Sequence, residues 1–197
     1  ACANRLTENV REHVLDYKRD GHLEASDYEA GFVQEYMSHL GSKNLRAYLT
    51  NSGMAAFSTV IHWITGELKL NRAALAVTPM YFENIHLAEA FLPDLESLNP
   101  SSEEELKTFL AELNPQIVFV DAVTNCGEVR TQNFETIVQW AKTSNQQTVI
   151  VIDTTCMPAP LLPDNLLAGL PEHVSVIFVE SLAKHHQFGM DTVTGGI

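Results

Sequence analysis

Positive charge is scarce in this sequence: 12 lysines and arginines stand against 25 aspartates and glutamates, for a net charge of −13. Such a surface repels phosphate backbones and anionic headgroups, which argues against a general nucleic-acid or membrane-surface function. A small anion is not excluded, because backbone dipoles at contact distance outweigh a diffuse background charge. Cysteine is scarce too. Cys2, Cys126 and Cys156 are odd in number, widely spaced and without a C-x-x-C pair, so neither a disulfide framework nor a zinc site is indicated. A reducing cytoplasm is the expected compartment, with no metal. No apolar run approaches the length of a membrane span, and the first residues lack a basic-then-apolar signal pattern. There is no G-x-G-x-x-G, no P-loop, no internal repeat and no low-complexity tract. The first residue is Ala, and Thr194-Gly195-Gly196-Ile197 closes the sequence on an apolar note, so both ends are expected to be cut and the chain to be a fragment or a processed product.

What is present suits a globular protein. Of 197 residues, 45% are hydrophobic and 19% charged, enough for one domain with a substantial core. A chain of this size buries roughly 70% of its unfolded surface. The first part reads as helical. Val10, Val14, Leu15 and Tyr17 make a weak amphipathic pattern over 7–19. Ser26 with Glu29 predicts a capping-box start, followed by Phe32, Val33, Tyr36, Met37 and Leu40 at helical spacing before Gly41. A further helix is expected from Gly53 to Gly66, through Ala55, Ala56, Val60, Ile61 and Ile64.

The period then changes. The runs 73–77, 117–120, 149–152 and 174–179 are short, continuous and rich in Val and Ile, as strands buried on both faces are. Helical stretches lie between them: one opened by Ser102-Glu103-Glu104-Glu105, another by Asn133. The prolines of 161–171 read as a loop. Strand–helix–strand alternation predicts an α/β domain, a mainly parallel sheet sandwiched by helices, with a helical N-terminal segment over 1–44. Ligands in such sheets bind beyond the carboxyl ends of the strands. The informative polar residues stand at those ends: Tyr81, Asn125, Asp153, and Ser181 to Lys184.

Each has a chemical and a plain reading. Asp153 ends a buried run, where a carboxylate is unfavourable without a cationic partner such as a protonated pyridine nitrogen; it also suits a helix cap. Lys184 follows the next strand and could form an imine, or simply be solvated. Ser181, three residues earlier, could offer its hydroxyl to a phosphate. Asn51-Ser52-Gly53-Met54-Ala55-Ala56 precedes a helix, so its amides can approach an anion, or it is a cap with a closely packed start. Tyr81 can lie against a flat heteroaromatic or belong to the rim, and Asn125 can donate to a ring hydroxyl or make a turn with Cys126-Gly127. His185 and His186 match no zinc spacing and read as polar residues near the site.

In order, Ser52-Gly53-Met54-Ala55-Ala56, Tyr81, Asp121-Ala-Val-Thr-Asn125, Asp153-Thr-Thr155, Ser181-Leu-Ala-Lys184 and Gly195-Gly196 resemble the pyridoxal 5'-phosphate (PLP) enzymes of the aspartate-aminotransferase fold, within them the Cys/Met-metabolism group of cystathionine synthases and lyases. The resemblance covers 45–197, a PLP-binding large domain without its smaller C-terminal domain. It implies elimination or replacement at the β or γ carbon of sulfur amino acids or activated homoserine, with an amino acid as substrate and a homodimer or homotetramer as assembly. An aminotransferase on the same fold, or a non-catalytic interaction module, are the alternatives. By the resemblance, Gly53 and Met54 amides, helped by the Ser181 hydroxyl, hold the phosphate, and Ser52 belongs to the same cofactor-binding set. Tyr81 stacks on the ring and takes part in catalysis, Asn125 meets the ring hydroxyl, Asp153 the ring nitrogen, and Thr155 supports the ring. Lys184 would hold the cofactor through an imine and shuttle protons. Ala183, Phe82-Glu83, Cys126, Thr154 and Cys156 depart from the usual family residues, and 185–190 fits only with a one-residue shift.

Overall fold

The computed structural model describes residues 23–42, 44–124, 127, 129–187 and 194–197. Its centre is a sheet of strands β1 (Ala74–Val77), β2 (Leu95–Leu98), β3 (Ile117–Asp121), β4 (Thr148–Asp153) and β5 (Val174–Val179), in the order β2-β1-β3-β4-β5. Every pairing within it is parallel. Helices α1 (Leu23–Phe32), α2 (Gly53–His62), α3 (Phe82–Phe91), α4 (Glu103–Leu113) and α5 (Phe134–Ala141) cover it.

Side chains on a strand alternate between faces, so continuous apolar runs must feed two cores at once. Leu75, Val77, Val118, Val120, Ile150 and Ile152 pack on one side with Leu106, Leu110, Phe134, Ile137 and Val138 of α4 and α5. Ala74, Ala76, Ile117, Phe119, Val149 and Val151 pack on the other with Phe57 and Ile61 of α2, Ala88 of α3 and Leu92 just beyond it. Phe32, Met37 and Leu40 from the N-terminal part join the first core. Leu110 is fully buried there, and Leu110→Ala is expected to cost about 2–5 kcal/mol in chemical denaturation, through lost burial and the cavity left behind.

Four of the expected strands are present, and β3 and β4 each run one residue further, into Asp121 and Asp153. The first strand begins at Ala74 rather than 73, because Ala73 has φ +45°, a left-handed conformation that no strand residue adopts. Strand β2 and helix α3 had no counterpart in the sequence reading. The helix around Ser26 already includes Leu23, so Ser26 lies inside it; the capping-box reading is wrong, and the Glu29 carboxylate instead accepts from the Leu49 N–H, at 2.7 Å. Gly41, at φ +78°, does end this helical stretch. Beyond α2 the chain widens into a π-helical turn over Trp63–Glu67 before leaving the helix. The stretch 161–171 is turns, preceded by a 3-10 turn at Ala159–Leu161. The expected helix over 7–19 lies outside the described residues. No described helix is long and apolar enough to cross a membrane.

The chain enters the sheet at β1, moves to the edge for β2, and returns across β1 to β3. That reversal leaves the carboxyl ends of β1 and β3 with connections departing in opposite directions, the place where an open parallel sheet opens a crevice.

Candidate active site

Four strand ends and one helix start build the crevice. Helix α2 begins at Gly53, with Ser52 as its cap: the Ser52 hydroxyl accepts from the Ala55 N–H at 3.1 Å. A Cβ on Gly53 would stand 2.9 Å from the Ser181 Cβ, so glycine is what lets the helix start lie against the turn after β5. That turn carries Lys184, whose backbone N–H reaches the Ser181 carbonyl at 3.4 Å. Ser181 also donates its N–H to Thr155 Oγ1 at 3.0 Å, while the Thr155 N–H donates to Asp153 Oδ1 at 2.8 Å. Backbone and short side chains thus join the ends of β4 and β5.

The ends of β1, β3 and β4 are joined by two carboxylates. Asp121 and Asp153 are register partners on neighbouring strands. Asp121 Oδ2 accepts from the Tyr81 N–H at 2.8 Å, which fixes the entry to α3, and Asp153 Oδ2 accepts from Asn84 Nδ2, also at 2.8 Å. Asn84 is 1% exposed and Asp121 3%. Burial, then the neighbouring Asp153 charge, pushes Asp121 up to about 7, against the opposing Tyr81 bond. Burial and the nearby Glu83 also raise the Tyr81 phenol, so it stays protonated at neutral pH. Cys156 is raised by burial and both aspartates, and remains a thiol.

Ser52, Gly53, Met54, Tyr81, Asp153, Thr155, Ser181 and Lys184 all line one open cavity of about 740 Å³, with Asn84, Asp121, Val123, Cys156 and His185. Eight of the nine residues singled out in the sequence therefore meet. The ninth, Asn125, lies outside the described residues. The two histidines part company: His185 faces the cavity, and His186 turns to Glu180 Oε1 at 3.0 Å, its ring against those of Phe32 and Tyr36. Two polar lining residues were missed. Asp121 ends a buried run just as Asp153 does, and that shared position was the available signal. Asn84 would have needed α3 to be recognised, because only a helix brings a residue three places after Tyr81 back to the same side.

Glu180, 2% exposed, is pushed by burial up to about 7, with the Thr154 hydroxyl opposing and Asp153 adding to the rise. A carboxyl raised from an unfolded value of about 4 stabilises the fold below that value and loses this contribution as pH rises through about 7. Glu180→Gln should therefore raise the thermal midpoint relative to the parent at pH 8, with the gap closing towards pH 4 in a melting series.

Solved structures of PLP-dependent enzymes share this fold. A PLP-bound C-S lyase from Staphylococcus hominis aligns over 98% of this chain at 14% identity, with a TM-score of 0.62. An O-acetylhomoserine sulfhydrylase from Wolinella succinogenes aligns over 90% at 20% identity and 0.55, and a cystathionine gamma-lyase from Micromonospora echinospora over 77% at 18% and 0.55. The chain spans 51%, 49% and 37% of those proteins' own lengths, respectively. No curated protein sequence matches the chain. Within the PLP-dependent class the assignment is narrower: the model of the Cys/Met metabolism PLP-dependent enzymes matches residues 2–197, and the chain belongs to that family.

Proposed function

We propose that this chain is the cofactor-binding large-domain portion of an enzyme that breaks or forms bonds at the β or γ carbon of a sulfur amino acid or activated homoserine. The observation that carries the reading is the convergence of a lysine, a fixed carboxylate, a tyrosine and a glycine-opened helix start on one cavity. The residues fit PLP. The first amides of a helix have no partner within it, and the Ser52 hydroxyl already serves Ala55, so the Gly53 and Met54 amides are the donors for a phosphate, beside the Ser181 hydroxyl. The missing Cβ at Gly53 is what opens this cradle, since Ser181 would otherwise be struck.

At the opposite end Asp153, held through both oxygens, is the acceptor for the cationic ring nitrogen. Thr155 keeps that carboxylate and the Ser181 turn in one frame. The Tyr81 ring covers the heteroaromatic, and Asn125 is assigned to its hydroxyl. When bound, PLP supplies the electron sink that stabilises a carbanion at the substrate α carbon. Lys184 Nζ holds the cofactor and then moves the α proton. Ala183 offers no hydroxyl next to Lys184, so the phosphate relies on α2 and Ser181. The division into an N-terminal helical segment, 1–44, and a large domain, 45–197, belongs to the same reading. So do a homodimer or homotetramer and a cytoplasmic setting; Phe82, 59% exposed with its ring against that of Tyr81, is an apolar residue such an assembly would cover.

The test is product analysis of the full-length protein with PLP and, in turn, cystathionine, methionine, and O-acetylhomoserine plus sulfide. Release of ammonia with a 2-oxo acid, or a new thioether or thiol, is the expected result. Amine transfer to an added 2-oxo acid without ammonia would instead make it an aminotransferase. Bound PLP without turnover of any of these would point to a non-catalytic relative.

A further inference from the structure

Asp121 is the one side chain at the site with a buried oxygen left over. Its Oδ2 accepts from Tyr81, but its Oδ1 is buried without a hydrogen-bond partner, the single such side-chain atom among the described residues. A buried acceptor without a donor is unfavourable and calls for an explanation. The residue lines the cavity, and it sits across the β3–β4 register from Asp153. Two carboxylates side by side at the end of a parallel sheet repel each other unless a proton or a cation comes between them.

We propose that Asp121 is a positioning residue of the cofactor site: with Asp153 it forms a two-carboxylate acceptor for the cationic ring edge of the bound cofactor, Asp153 making the direct contact and Asp121 deepening the negative potential behind it. The inference rests on the PLP reading above and deepens it. In the empty protein Asp121 carries a proton for part of the time near neutral pH, which relieves the repulsion. A ring cation supplies the missing charge, so binding it returns Asp121 to carboxylate and releases that proton to solvent. The other ionisable groups lining the cavity are Tyr81, Cys156, Lys184 and His185. The Tyr81 phenol and the Cys156 thiol are raised and stay neutral through this range. Only Asp121 combines deep burial, an unpartnered oxygen and a carboxylate neighbour on the adjacent strand.

This arrangement predicts opposite signs for two measurements on one variant. Asp121→Asn keeps the shape and keeps an oxygen for the Tyr81 N–H, but removes the charge. The cofactor-free full-length variant should melt roughly 5 °C higher than the parent at pH 8, with the gap closing by pH 4, since a raised carboxyl destabilises the fold only above its unfolded value. The same variant should bind 4'-deoxypyridoxine 5'-phosphate, which has the ring nitrogen and phosphate but no aldehyde, about tenfold more weakly at pH 8. Calorimetry near pH 7, in buffers of different ionisation enthalpy, should show fewer protons released on binding than in the parent. Asp121→Ser, which can also accept from Tyr81, repeats the comparison if the asparagine variant does not fold.

Equal affinity and equal proton release in variant and parent would overturn the role of Asp121 while leaving the PLP reading intact. A variant that both binds more weakly and melts lower at pH 8 would reduce Asp121 to a structural tie, which also overturns the proposal. A parent that does not bind the analogue at all would remove this inference and the PLP reading together.

Discussion

Lys184→Ala is expected to abolish covalent attachment of the cofactor and to lower turnover by roughly 10²–10⁴-fold, the range that one positioned proton-transfer group contributes. Lys184 stands three residues past Ser181, on a turn that lies against the start of α2 and lines the cavity. The turn's position rests on backbone atoms, on Ser181 and on Thr155, none of which the substitution touches. Folding and phosphate binding should therefore survive. The measurement is a visible absorbance spectrum of full-length protein with PLP, followed by borohydride reduction and peptide mass analysis. The parent should show the band of lysine-bound cofactor and carry the added mass on the peptide containing Lys184. The variant should show neither, while still binding an aldehyde-free phosphate analogue. Retention of the band and of the tag at another lysine would reassign the attachment site.

The second large effect is structural and comes from one of two neighbouring glycines. Gly196 runs antiparallel beside Thr50, with bonds of 2.7 and 3.0 Å in the two directions, and forms a bridge to Ser181 on its other side. A Cβ on Gly196 would fall onto the backbone carbonyl of Ser52 and within 2.6 Å of the Gly53 nitrogen. Backbone cannot swing aside as a side-chain tip does, so Gly196→Ala must displace either the Thr50 pairing or the start of α2. We expect a loss of about 3 kcal/mol or more in urea denaturation, at the severe end for overpacking, together with weakened phosphate binding. Gly195→Ala is the control. Its Cβ would meet Leu182 atoms at 3.5 and 3.6 Å, ordinary contact distances, and its melting point should stay close to the parent's.

The interior of the sheet was legible because burial on both faces leaves a distinctive mark. The runs containing Val118 and Val120, or Ile150 and Ile152, have no polar position because neither side of those strands meets water. Strand β2 has no such mark. It lies at the sheet's edge, and Leu95-Glu-Ser-Leu98 is neither a continuous apolar run nor an alternating one. Helix α3 was hidden by Phe82, Phe91 and His86, exposed residues that blur its apolar stripe, and by Tyr81, which begins it without a side-chain cap. The error at Ser26 has a different origin. Ser-x-x-Glu is a local pattern, and here a distant backbone donor, Leu49, competes successfully for the glutamate. At the site, Asp121 and Asp153 both end buried strands, yet only Asp153 was singled out from that position, while Asn84 depended on a helix that was not recognised.

The bonds that frame the cavity have a consequence for how the protein folds. Tyr81 to Asp121 spans 40 residues, Asn84 to Asp153 spans 69, and Thr155 to Ser181 spans 26. Every one of them waits on closure of a long loop, and no short stretch of chain holds a working subset of the pocket. Assembling the crevice therefore requires all of these loops to be closed at once. A ligand that recognises it selects only fully assembled molecules, and its binding adds to the free energy of global unfolding by mass action. Cofactor supply would then act on the lifetime of the protein as well as on its chemistry.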